Sequence, residues 1–505
     1  MRTILTLYLL SQLSAFAAPP AWNQFRGPNG SGVLPDAQPP IIVSTETLAW
    51  KTEVPFGHSS PVLAGHLVVL TAIEDERFLT LAFDRATGQQ VWSREAPQVP
   101  FENVHQTSSP AAPSVLTDAD RIIVYFGSFG LICYDHDGKE LWNKKLPTPK
   151  SLYGTSTSPI SHGKNLYLVI DNQENLPDSK LSKSKLYAIH RGTGETVWET
   201  GRPFNRSGWS TPTVWQHSKG TELVVLGSSR ASGYNIETGE ELWFTGGFSR
   251  ETIARPVVNG DHVYIAAAML GGVADESPDP KPFWTAVMSF DKNNDQKLEP
   301  SEMNEHFTFP LRPELPPGHA GYGIPLPRDP NKRAERQKGI FGWVDKDRDG
   351  FWTREEFLGH MKFDRGKPKL VAVTPGGTGD VSETNIAWEL NRSLPEIPSP
   401  IYVDGRIYMV RNGGLLSAVD ANDGGLIYRE RLGASGHYSA SPVAAGGHLY
   451  LLSSRGTLSV AKPGDTFEVI HQHDLGEPAF VTPAIDHNTL YIRTKTALQA
   501  HRKSP

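Results

Sequence analysis

The chain has 505 residues, of which 47 are glycine and 40 are proline, and its formal net charge is −6. This turn-rich composition favours a large β protein over a helical one. The small net charge and the lack of a long lysine or arginine run argue against nucleic acid as a partner. The single cysteine, Cys133, excludes an internal disulfide, so the fold must rest on packing.

The first residues have the features of an export signal. Arg2 precedes an apolar run over 4–10, and residues 15–17 (Ala-Phe-Ala) form a cleavage site of the small-residue type. An uncleaved anchor is the alternative, but the run is far shorter than the roughly 20 residues that span a bilayer. We predict a signal peptide over 1–17 and a mature chain without a transmembrane segment, either periplasmic or secreted.

A short turn followed by an aromatic residue recurs along the chain. In each copy a glycine precedes the aromatic residue by four positions. The glycine supplies the positive φ of a hairpin turn, and we expect the aromatic side chain of the following strand to pack inward. The copies are DRATGQQVW (84–92), DHDGKELW (135–142), HRGTGETVW (190–198), NIETGEELW (235–243) and DANDGGLIY (420–428).

A second series places a small or polar residue before a proline at the start of an apolar segment. Proline is tolerated at the first position of a strand because no ladder hydrogen bond is lost there. Six of the seven gaps between these prolines are 41 to 53 residues, near the length of a four-stranded propeller blade, and one is 144. The prolines are Pro61, Pro113, Pro159, Pro212, Pro256, Pro400, Pro442 and Pro483.

These spacings predict an all-β fold, an eight-bladed β-propeller. The last unit, after Pro483, lacks one strand, whereas the strand-like segment 47–54 has no unit of its own. Joining the two would complete the eighth blade and close the ring, which leaves no exposed sheet edge. We therefore expect blades over 18–280 and 366–505, with an insertion over 281–365 in the fifth blade.

The TGxxxW turns at Gly88, Gly194 and Gly239 resemble those of the pyrroloquinoline-quinone-like (PQQ-like) β-propeller repeat family, which includes quinoprotein-like and BamB-like propellers. The stretch AWNQFRGPNGSG (21–32) is similar to the N-terminal stretch of secreted bacterial members. The resemblance implies the propeller fold. It implies no reaction, because this fold hosts enzymes, scaffolds and receptors.

The insertion loses the strand pattern and contains two acidic stretches of twelve residues. A calcium ion takes six to eight oxygen ligands, which such a loop supplies from positions 1, 3, 5, 7, 9 and 12. The first loop offers Asp291, Asn293, Asp295, the carbonyl of Lys297, Glu299 and Glu302. The second loop offers Asp345, Asp347, Asp349, the carbonyl of Phe351, Thr353 and Glu356.

Both loops resemble EF-hands, which implies a pair of Ca²⁺ sites in a small α-helical domain with helices on each side of each loop. Gly350 occupies the sharp bend of the second loop. The first loop has Gln296 there, and a side chain at positive φ adds strain. We therefore expect the second site to be the stronger one, with a structural role at extracytoplasmic affinities of roughly 10⁻⁴ to 10⁻³ M. The alternative is two acidic turns in solvent.

The resemblance to quinone-dependent dehydrogenases implies a bound quinone and a disulfide between adjacent cysteines. Cys133 alone cannot form that disulfide, and the chain has no CxxCH haem motif, so we do not expect PQQ and assign no catalytic residue. Polar residues near the strand starts form either a central pocket or contacts between blades. These residues are His58, His105, Gln106, Asp171, Arg202, Trp209, Arg255, His437 and Tyr438.

Three function classes remain open from the sequence. We favour a noncatalytic binding or scaffold protein that carries calcium and contacts envelope or extracellular proteins. The first alternative is an oxidoreductase, PQQ-dependent or not, or a carbohydrate-active enzyme that uses the central pocket. The second is a structural extracellular adhesion protein. The sequence indicates neither the oligomeric state nor the physiological ligand.

Overall fold

The chain folds into a ring of β-sheets, as a computed structural model gives it. The structure describes residues 22–503 except for 103, 106, 152, 173–182, 206–207, 250, 269–280, 304, 311–322 and 362–367. Eight sheets of four or five strands form the blades, so the predicted eight-bladed β-propeller is confirmed. The predicted signal peptide, 1–17, lies outside the described residues. Among the described helices, none is long and apolar enough to cross a membrane.

Blades 1 to 4 follow one another along the chain, and the first strands of blades 1 and 2 contact each other. Blade 1 comprises Val62–Ala64, Leu67–Glu74, Arg77–Asp84 and Gln90–Glu95, and blade 2 comprises Leu116–Thr117, Ile122–Phe126, Gly130–Tyr134 and Glu140–Lys145. Blade 3 comprises Ile160–His162, Asn165–Ile170, Lys185–His190 and Thr196–Gly201, and blade 4 comprises Thr213–His217, Gly220–Gly227, Arg230–Asn235 and Glu241–Gly246.

Blades 5 to 8 complete the ring. Blade 5 comprises Val257–Asn259, His262–Ala267, Lys369–Val373 and Ile386–Leu390, and blade 6 comprises Ile401–Val403, Arg406–Arg411, Leu415–Asp420 and Leu426–Arg431. Blade 7 comprises Val443–Ala445, His448–Leu452, Thr457–Lys462 and Glu468–Asp474, and blade 8 comprises Ala484–Asp486, Thr489–Arg493, Ala497–Arg502 and Leu48–Glu53. The strand Leu48–Glu53 pairs antiparallel with Ala497–Arg502 and so joins the two ends of the ring.

Two short strands extend this pattern. Val33–Leu34 pairs in parallel with the first strand of blade 7, and Gly379–Asp380 pairs in parallel with the last strand of blade 4. Buried apolar clusters lie between neighbouring blades, for example between blades 2 and 3 and between blades 7, 8 and 1. Because apolar burial is the main favourable term in folding, these clusters hold the ring together.

The turn glycines serve the contact between blades. Their φ angles lie between 72° and 78°, as the turn pattern predicts. In five blades the tryptophan of the last strand lies on the turn glycine of the next blade, where a Cβ would clash with its ring. These pairs are Trp50 on Gly88, Trp92 on Gly138, Trp142 on Gly194, Trp198 on Gly239, and Trp388 on Gly424. Trp243 of blade 4 differs, because it packs on Gly233 of its own blade and its Nε1 donates to Glu222.

The residues before the first strands form a second link around the axis. Among the described residues, six backbone N–H groups each donate to a hydroxyl of the next blade, at 2.9 to 3.1 Å. In blade 2 the residue in this position is Ser114, which follows Pro113 instead of preceding it. The donor and acceptor pairs are Ser60 to Ser114, Ser114 to Ser158, Ser158 to Thr211, Arg255 to Ser399, Ser399 to Ser441, and Ser441 to Thr482.

Residues 22–34, called here the axial segment, run across the centre of the ring and contain the 3₁₀ turn Pro28–Gly30. The segment is hydrogen-bonded to the first strands of several blades, which places it at the axis. The contacts are Leu63 N–H to the Trp22 carbonyl, Thr117 N–H to the Asn23 carbonyl, Asn29 Nδ2 to the Val214 carbonyl, and Ala444 N–H to the Gly32 carbonyl, at 2.8 to 2.9 Å.

The insertion lies between the second and third strands of blade 5 and has its own buried apolar cluster. It contains α1 (Lys281–Val287), α2 (Pro330–Val344), α3 (Arg354–Met361), the 3₁₀ turns Met288–Phe290 and Pro300–Met303, and the paired strands Thr308–Pro310 and Gly323–Pro325. A small α-helical domain with a helix on each side of each loop was predicted, but the described part of the insertion does not support it, because only the turn Pro300–Met303 is described after the first loop. The chain then enters a strand that contains Thr308 and Pro310, which disfavour a helix.

Candidate metal centre

The two acidic loops lie side by side. Leu298 and Trp352, the eighth residue of each loop, form an antiparallel bridge. The Leu298 N–H donates to the Trp352 carbonyl at 3.1 Å, and the Trp352 N–H donates to the Leu298 carbonyl at 2.7 Å. The structure therefore brings both predicted ligand sets together, although a long linker separates them in the sequence.

Aromatic side chains of the insertion pack against this bridge. Leu298 and Trp352 are completely buried. The Trp352 ring stacks on Phe341 of α2 at 4.8 Å between centroids, and its Nε1 donates to the Phe341 carbonyl at 2.8 Å. Phe357 of α3 also packs against Trp352, with 5.8 Å between the ring centroids. Because this packing fixes the eighth positions, it also fixes the loops that carry the acidic side chains.

The second loop folds around its own carboxylates. Asp345 Oδ2 accepts the Gly350 N–H at 3.1 Å. Asp347 Oδ1 accepts the Asp349 N–H at 3.0 Å, and Asp349 Oδ1 accepts the Phe351 N–H at 2.9 Å. One oxygen from each of the three aspartates lies within 4.8 Å of the others. Three like charges at this distance repel one another, so the arrangement favours a cation among them.

Glu356 ties the end of the second loop back to its start. Its Oε1 accepts the Lys346 N–H at 3.1 Å, and its Oε2 accepts the Thr353 N–H at 3.0 Å and the Thr353 hydroxyl at 2.8 Å. Burial alone would raise the pKa of Glu356, but the hydrogen bonds from Thr353, Lys346 and Asp347 outweigh it and lower the pKa. The carboxylate is thus held in its charged form at neutral pH.

The first loop repeats this hydrogen bonding position by position. Asp291 Oδ2 accepts the Gln296 N–H at 3.0 Å, Asn293 Oδ1 accepts the Asp295 N–H at 2.8 Å, and Asp295 Oδ1 accepts the Lys297 N–H at 2.8 Å. Glu302 accepts the Lys292 N–H on Oε1 at 3.0 Å and the Glu299 N–H on Oε2 at 3.1 Å. The two loops therefore have the same fold, even though one has a glycine at its bend and the other does not.

The bend residues differ in strain. Gly350 has φ 92°, and Gln296 has φ 66° at the same position. A side chain in this left-handed region costs roughly 1–2 kcal/mol. The first loop thus carries a cost that the second avoids, as the sequence predicts.

The remaining predicted ligands are the residues at the seventh and ninth positions of the two loops. Glu299 Oε1 accepts the Ser301 hydroxyl at 2.6 Å, and the Thr353 hydroxyl is engaged by Glu356. Lys297 and Phe351, predicted to act through their carbonyls, face each other across the pair, with the ammonium 5.0 Å from the ring centroid. The side chains at the ninth positions are thus already hydrogen-bonded within their loops.

Two oxygens stand out in this arrangement. Oδ1 of Asp291 and Oδ1 of Asp345 are buried and have no hydrogen-bond partner. Both belong to the first residue of a loop, where a calcium loop supplies its first ligand. Burying an anionic oxygen without a partner is costly, so both positions suit a bound cation.

Several polar residues predicted near a central pocket instead join blades. Arg202 Nε donates to Asp171 Oδ1 at 3.0 Å, and its Nη1 donates to the Tyr234 hydroxyl of blade 4 at 3.1 Å, with the Arg202 and Asp171 side chains buried. Trp209 Nε1 donates to the Gly154 carbonyl at 2.9 Å. These contacts favour the interpretation as links between blades.

The other polar candidates are scattered. His58 packs between the rings of Phe56 and Phe480, at 5.1 and 5.7 Å. Burial and the charge of Arg493 lower the pKa of His58 to about 4, so it is neutral at pH 7. His105 and His437 are exposed, Tyr438 is buried, and Gln106 lies outside the described residues. Arg255 lies at the ring axis beside Arg26, which belongs to the quoted stretch 21–32 but was not predicted as a functional residue.

Comparison with protein families gives a match over the propeller blades. The family model described as "Outer membrane protein assembly factor BamB" matches residues 41–177, 182–287 and 369–501. These stretches cover the blades and leave both acidic loops unmatched. No curated protein matches the chain.

Solved structures share the fold at low sequence identity. BamB from Moraxella catarrhalis is 10% identical, with a TM-score of 0.48, over 90% of this chain and 99% of that one. The computationally designed Ika8 protein is 9% identical, with a TM-score of 0.53, over 89% and 98%. The quinohemoprotein alcohol dehydrogenase ADHIIG from Pseudomonas putida HK5 is 10% identical, with a TM-score of 0.50, over 96% and 80%. At these identities the likeness concerns the fold alone, and it rests on the two structures with TM-scores of 0.53 and 0.50.

The repeat pattern, the ring and the family match agree with one another. The match spans most of the chain and follows the blades on both sides of the insertion. The chain therefore belongs to the outer membrane protein assembly factor BamB family of PQQ-like β-propellers.

Proposed function

We propose that this protein is an exported, noncatalytic scaffold propeller whose insertion binds two calcium ions in a pair of EF-hand-like loops. The ligands are those predicted from the sequence, with Asp291 and Glu302 anchoring the first site and Asp345 and Glu356 the second. Calcium then stiffens the insertion that blade 5 carries. The signal peptide over 1–17 directs the chain out of the cytoplasm.

One observation carries the calcium proposal. Each loop places a buried, unpartnered Oδ1 at its first position and a glutamate at its twelfth position that closes the loop. A solvated acidic turn gives no reason for the same oxygen to be buried and unsatisfied twice. A divalent cation would supply the missing partner in both loops and offset the repulsion between the carboxylates.

Calorimetric titration of the full chain with calcium tests this proposal. We expect two binding events, the weaker one at the first loop because of the strain at Gln296. Glu356→Gln should weaken the second site roughly tenfold or more, because it removes a bidentate charged ligand. Glu302→Gln should act in the same way on the first site.

The chain offers a matched control for each variant. Glu355→Gln and Glu305→Gln remove the same charge from exposed neighbours that are not in the ligand set. Both should keep the wild-type binding curve. If Glu355→Gln and Glu356→Gln changed calcium binding equally, the effect would be one of net charge, and the assigned ligands would be wrong.

We further propose that a protein of the envelope or extracellular space docks at the loops that lead into blades 1 and 8. Phe56 is 45% exposed there and Phe480 is 37% exposed, with His58 between them. Exposed aromatic side chains are typical anchors of protein interfaces. The family's description as an assembly factor gives this role a precedent in relatives.

Crosslinking in an isolated envelope fraction tests the docking proposal. We expect the double variant Phe56→Ser, Phe480→Ser to lose most of a specific crosslinked product. Val91→Ser changes an equally exposed residue, 50% exposed on the last strand of blade 1, and should keep the product. Equal yields of the crosslinked product from the two variants would show that the partner docks at another surface.

The enzymatic alternatives have weaker support. The axial segment crosses the centre of the ring, where a central pocket was expected. Burial raises the pKa of the Cys133 thiol to about 12, which makes it a poor nucleophile at neutral pH. The oxidoreductase hypothesis is therefore supported only by the similarity of the propeller fold to that of a dehydrogenase.

A further inference from the structure

Two arginines meet at the ring axis. Arg26 belongs to the axial segment, and Arg255 stands just before the first strand of blade 5. Arg255 Nη1 donates to the Phe25 carbonyl at 3.0 Å, directly next to Arg26. A Cβ at Gly30 would clash with the Arg255 guanidinium, so the axial segment packs closely over it.

The hydrogen bonds of both guanidinium groups are incomplete. Both residues are 0% exposed. Arg26 Nη2 donates to the Pro400 carbonyl at 2.7 Å and to the Ser31 carbonyl at 3.4 Å, and Arg255 Nε donates to Thr213 Oγ1 at 2.9 Å. Nε and Nη1 of Arg26 and Nη2 of Arg255 are buried without a partner. Within the described part of the chain, no carboxylate pairs with either residue.

The two groups remain charged. Burial lowers the pKa of Arg26 to about 9, and burial together with the charge of Arg26 lowers the pKa of Arg255 to about 9. Both are therefore protonated at neutral pH. Two like charges that share a buried site, with N–H groups left over, are strongly unfavourable unless a negative charge lies beside them.

We propose that a small anion, of chloride or carboxylate size, binds at the ring axis beside Arg26 and Arg255 and accepts hydrogen bonds from their unpaired N–H groups. Water would satisfy these donors, but it would leave the two positive charges uncompensated. The ligand is small because the site is fully buried and the axial segment packs directly over Arg255.

Arg493 is another buried arginine, and backbone carbonyl groups bind its terminal nitrogens. It is 1% exposed, and its Nη1 donates to the Ser59 and Thr71 carbonyls at 3.1 and 2.9 Å. Its Nη2 donates to the Pro55 carbonyl at 3.0 Å. Both terminal nitrogens of Arg493 thus have carbonyl partners and its buried Nε has none, whereas Arg26 lacks partners on both Nε and Nη1. Arg493 is therefore the matched control.

Bromide soaking tests the site directly and needs no variant. Crystals soaked in sodium bromide, with data collected at the bromine edge, should give an anomalous peak within hydrogen-bond distance of both Arg26 and Arg255. Bromide peaks confined to the protein surface, with water or nothing at the two guanidinium groups, would overturn the proposal.

Thermal unfolding gives a second, independent readout. At constant ionic strength, replacing a bulky sulfonate by chloride or by acetate should raise the unfolding temperature by about 1 °C per tenfold increase in anion concentration above the dissociation constant. Arg255→Gln should lose at least half of this slope. Arg493→Gln should unfold at lower temperature but keep the slope. Equal slopes for the wild type and Arg255→Gln would contradict an anion at this site.

Discussion

Gly194 is required both by the conformation of its turn and by the packing between two blades. Its φ of 73° is the left-handed conformation that the turn requires. Its missing side chain also makes room for Trp142 of the preceding blade, whose Nε1 donates to the Arg191 carbonyl at 3.0 Å. The turn chemistry could be predicted from the neighbouring residues. The contact with Trp142 could not, because that partner comes from another repeat unit and depends on how the blades stack.

Replacing Gly194 by alanine should therefore cost roughly 2–4 kcal/mol of unfolding free energy, of which about 1–2 comes from the left-handed conformation and the rest from the clash with Trp142. Gly201→Ala is the control, because a Cβ there meets nothing within 4 Å. Urea unfolding of both variants measures the difference. A midpoint for Gly194→Ala equal to that of the control would show that this turn does not hold the blades together.

At the level of elements, the sequence predicts the position of the two acidic loops better than it predicts the helices and strands that flank them. Both loops have an apolar residue at the eighth position, and these two residues, Leu298 and Trp352, form the bridge between the loops. The twelve-residue pattern does not predict that the first loop ends in the turn Pro300–Met303 instead of a helix, since the following strand, Thr308–Pro310, decides this. The sequence of the loop thus determines the conformation of the loop itself. The strand that follows determines whether the loop ends in a helix or in a turn.

A buried histidine on the strand Ala497–Arg502 of blade 8 leads to a prediction about pH. His501 is 1% exposed, and its Nδ1 lies 3.4 Å from Thr47 Oγ1, just before the closing strand Leu48–Glu53. Burial and the nearby His473 lower the pKa of His501 to about 4. This value lies below the roughly 6.5 of an unfolded histidine. The unfolded chain therefore binds more protons between these values, and stability falls as the pH drops from about 6.5 to about 4.

At pH 5 this loss is on the order of 2 kcal/mol relative to neutral pH. His501→Gln should remove most of the contribution, so that its unfolding free energy changes less between pH 7 and pH 5 than that of the wild type. Denaturant titrations at the two pH values measure this. His437→Gln alters an exposed histidine and should keep the wild-type pH dependence. An unchanged pH dependence in His501→Gln would remove His501 as its source.

For the whole molecule, the repeat period was sufficient to predict eight blades, and the missing strand at one end predicted the closure by Leu48–Glu53. The axial segment was not predicted as an element of the ring centre, because it has no period. Its role depends on carbonyl and amide groups of several blades that only the closed ring brings together. The pair Arg26 and Arg255 was unpredictable for the same reason.

The ring and the insertion also divide the functions proposed for this protein. The blades match the family model, whereas the acidic loops lie outside the matched stretches. The insertion has its own apolar cluster and connects to the ring through two strands of blade 5. The calcium binding that we propose thus belongs to the insertion, which lies outside the matched stretches at one point of the ring.

A crystal structure of the full chain grown in several millimolar calcium would decide whether the acidic loops form a metal centre, since this concentration exceeds the roughly 10⁻⁴ to 10⁻³ M expected of extracytoplasmic sites. We predict two calcium ions, one bound to Oδ1 of Asp291 and one bound to Oδ1 of Asp345, with Glu302 and Glu356 as the closing ligands. Loops without an ion, with both Oδ1 atoms bound to water or turned towards solvent, would contradict the calcium proposal.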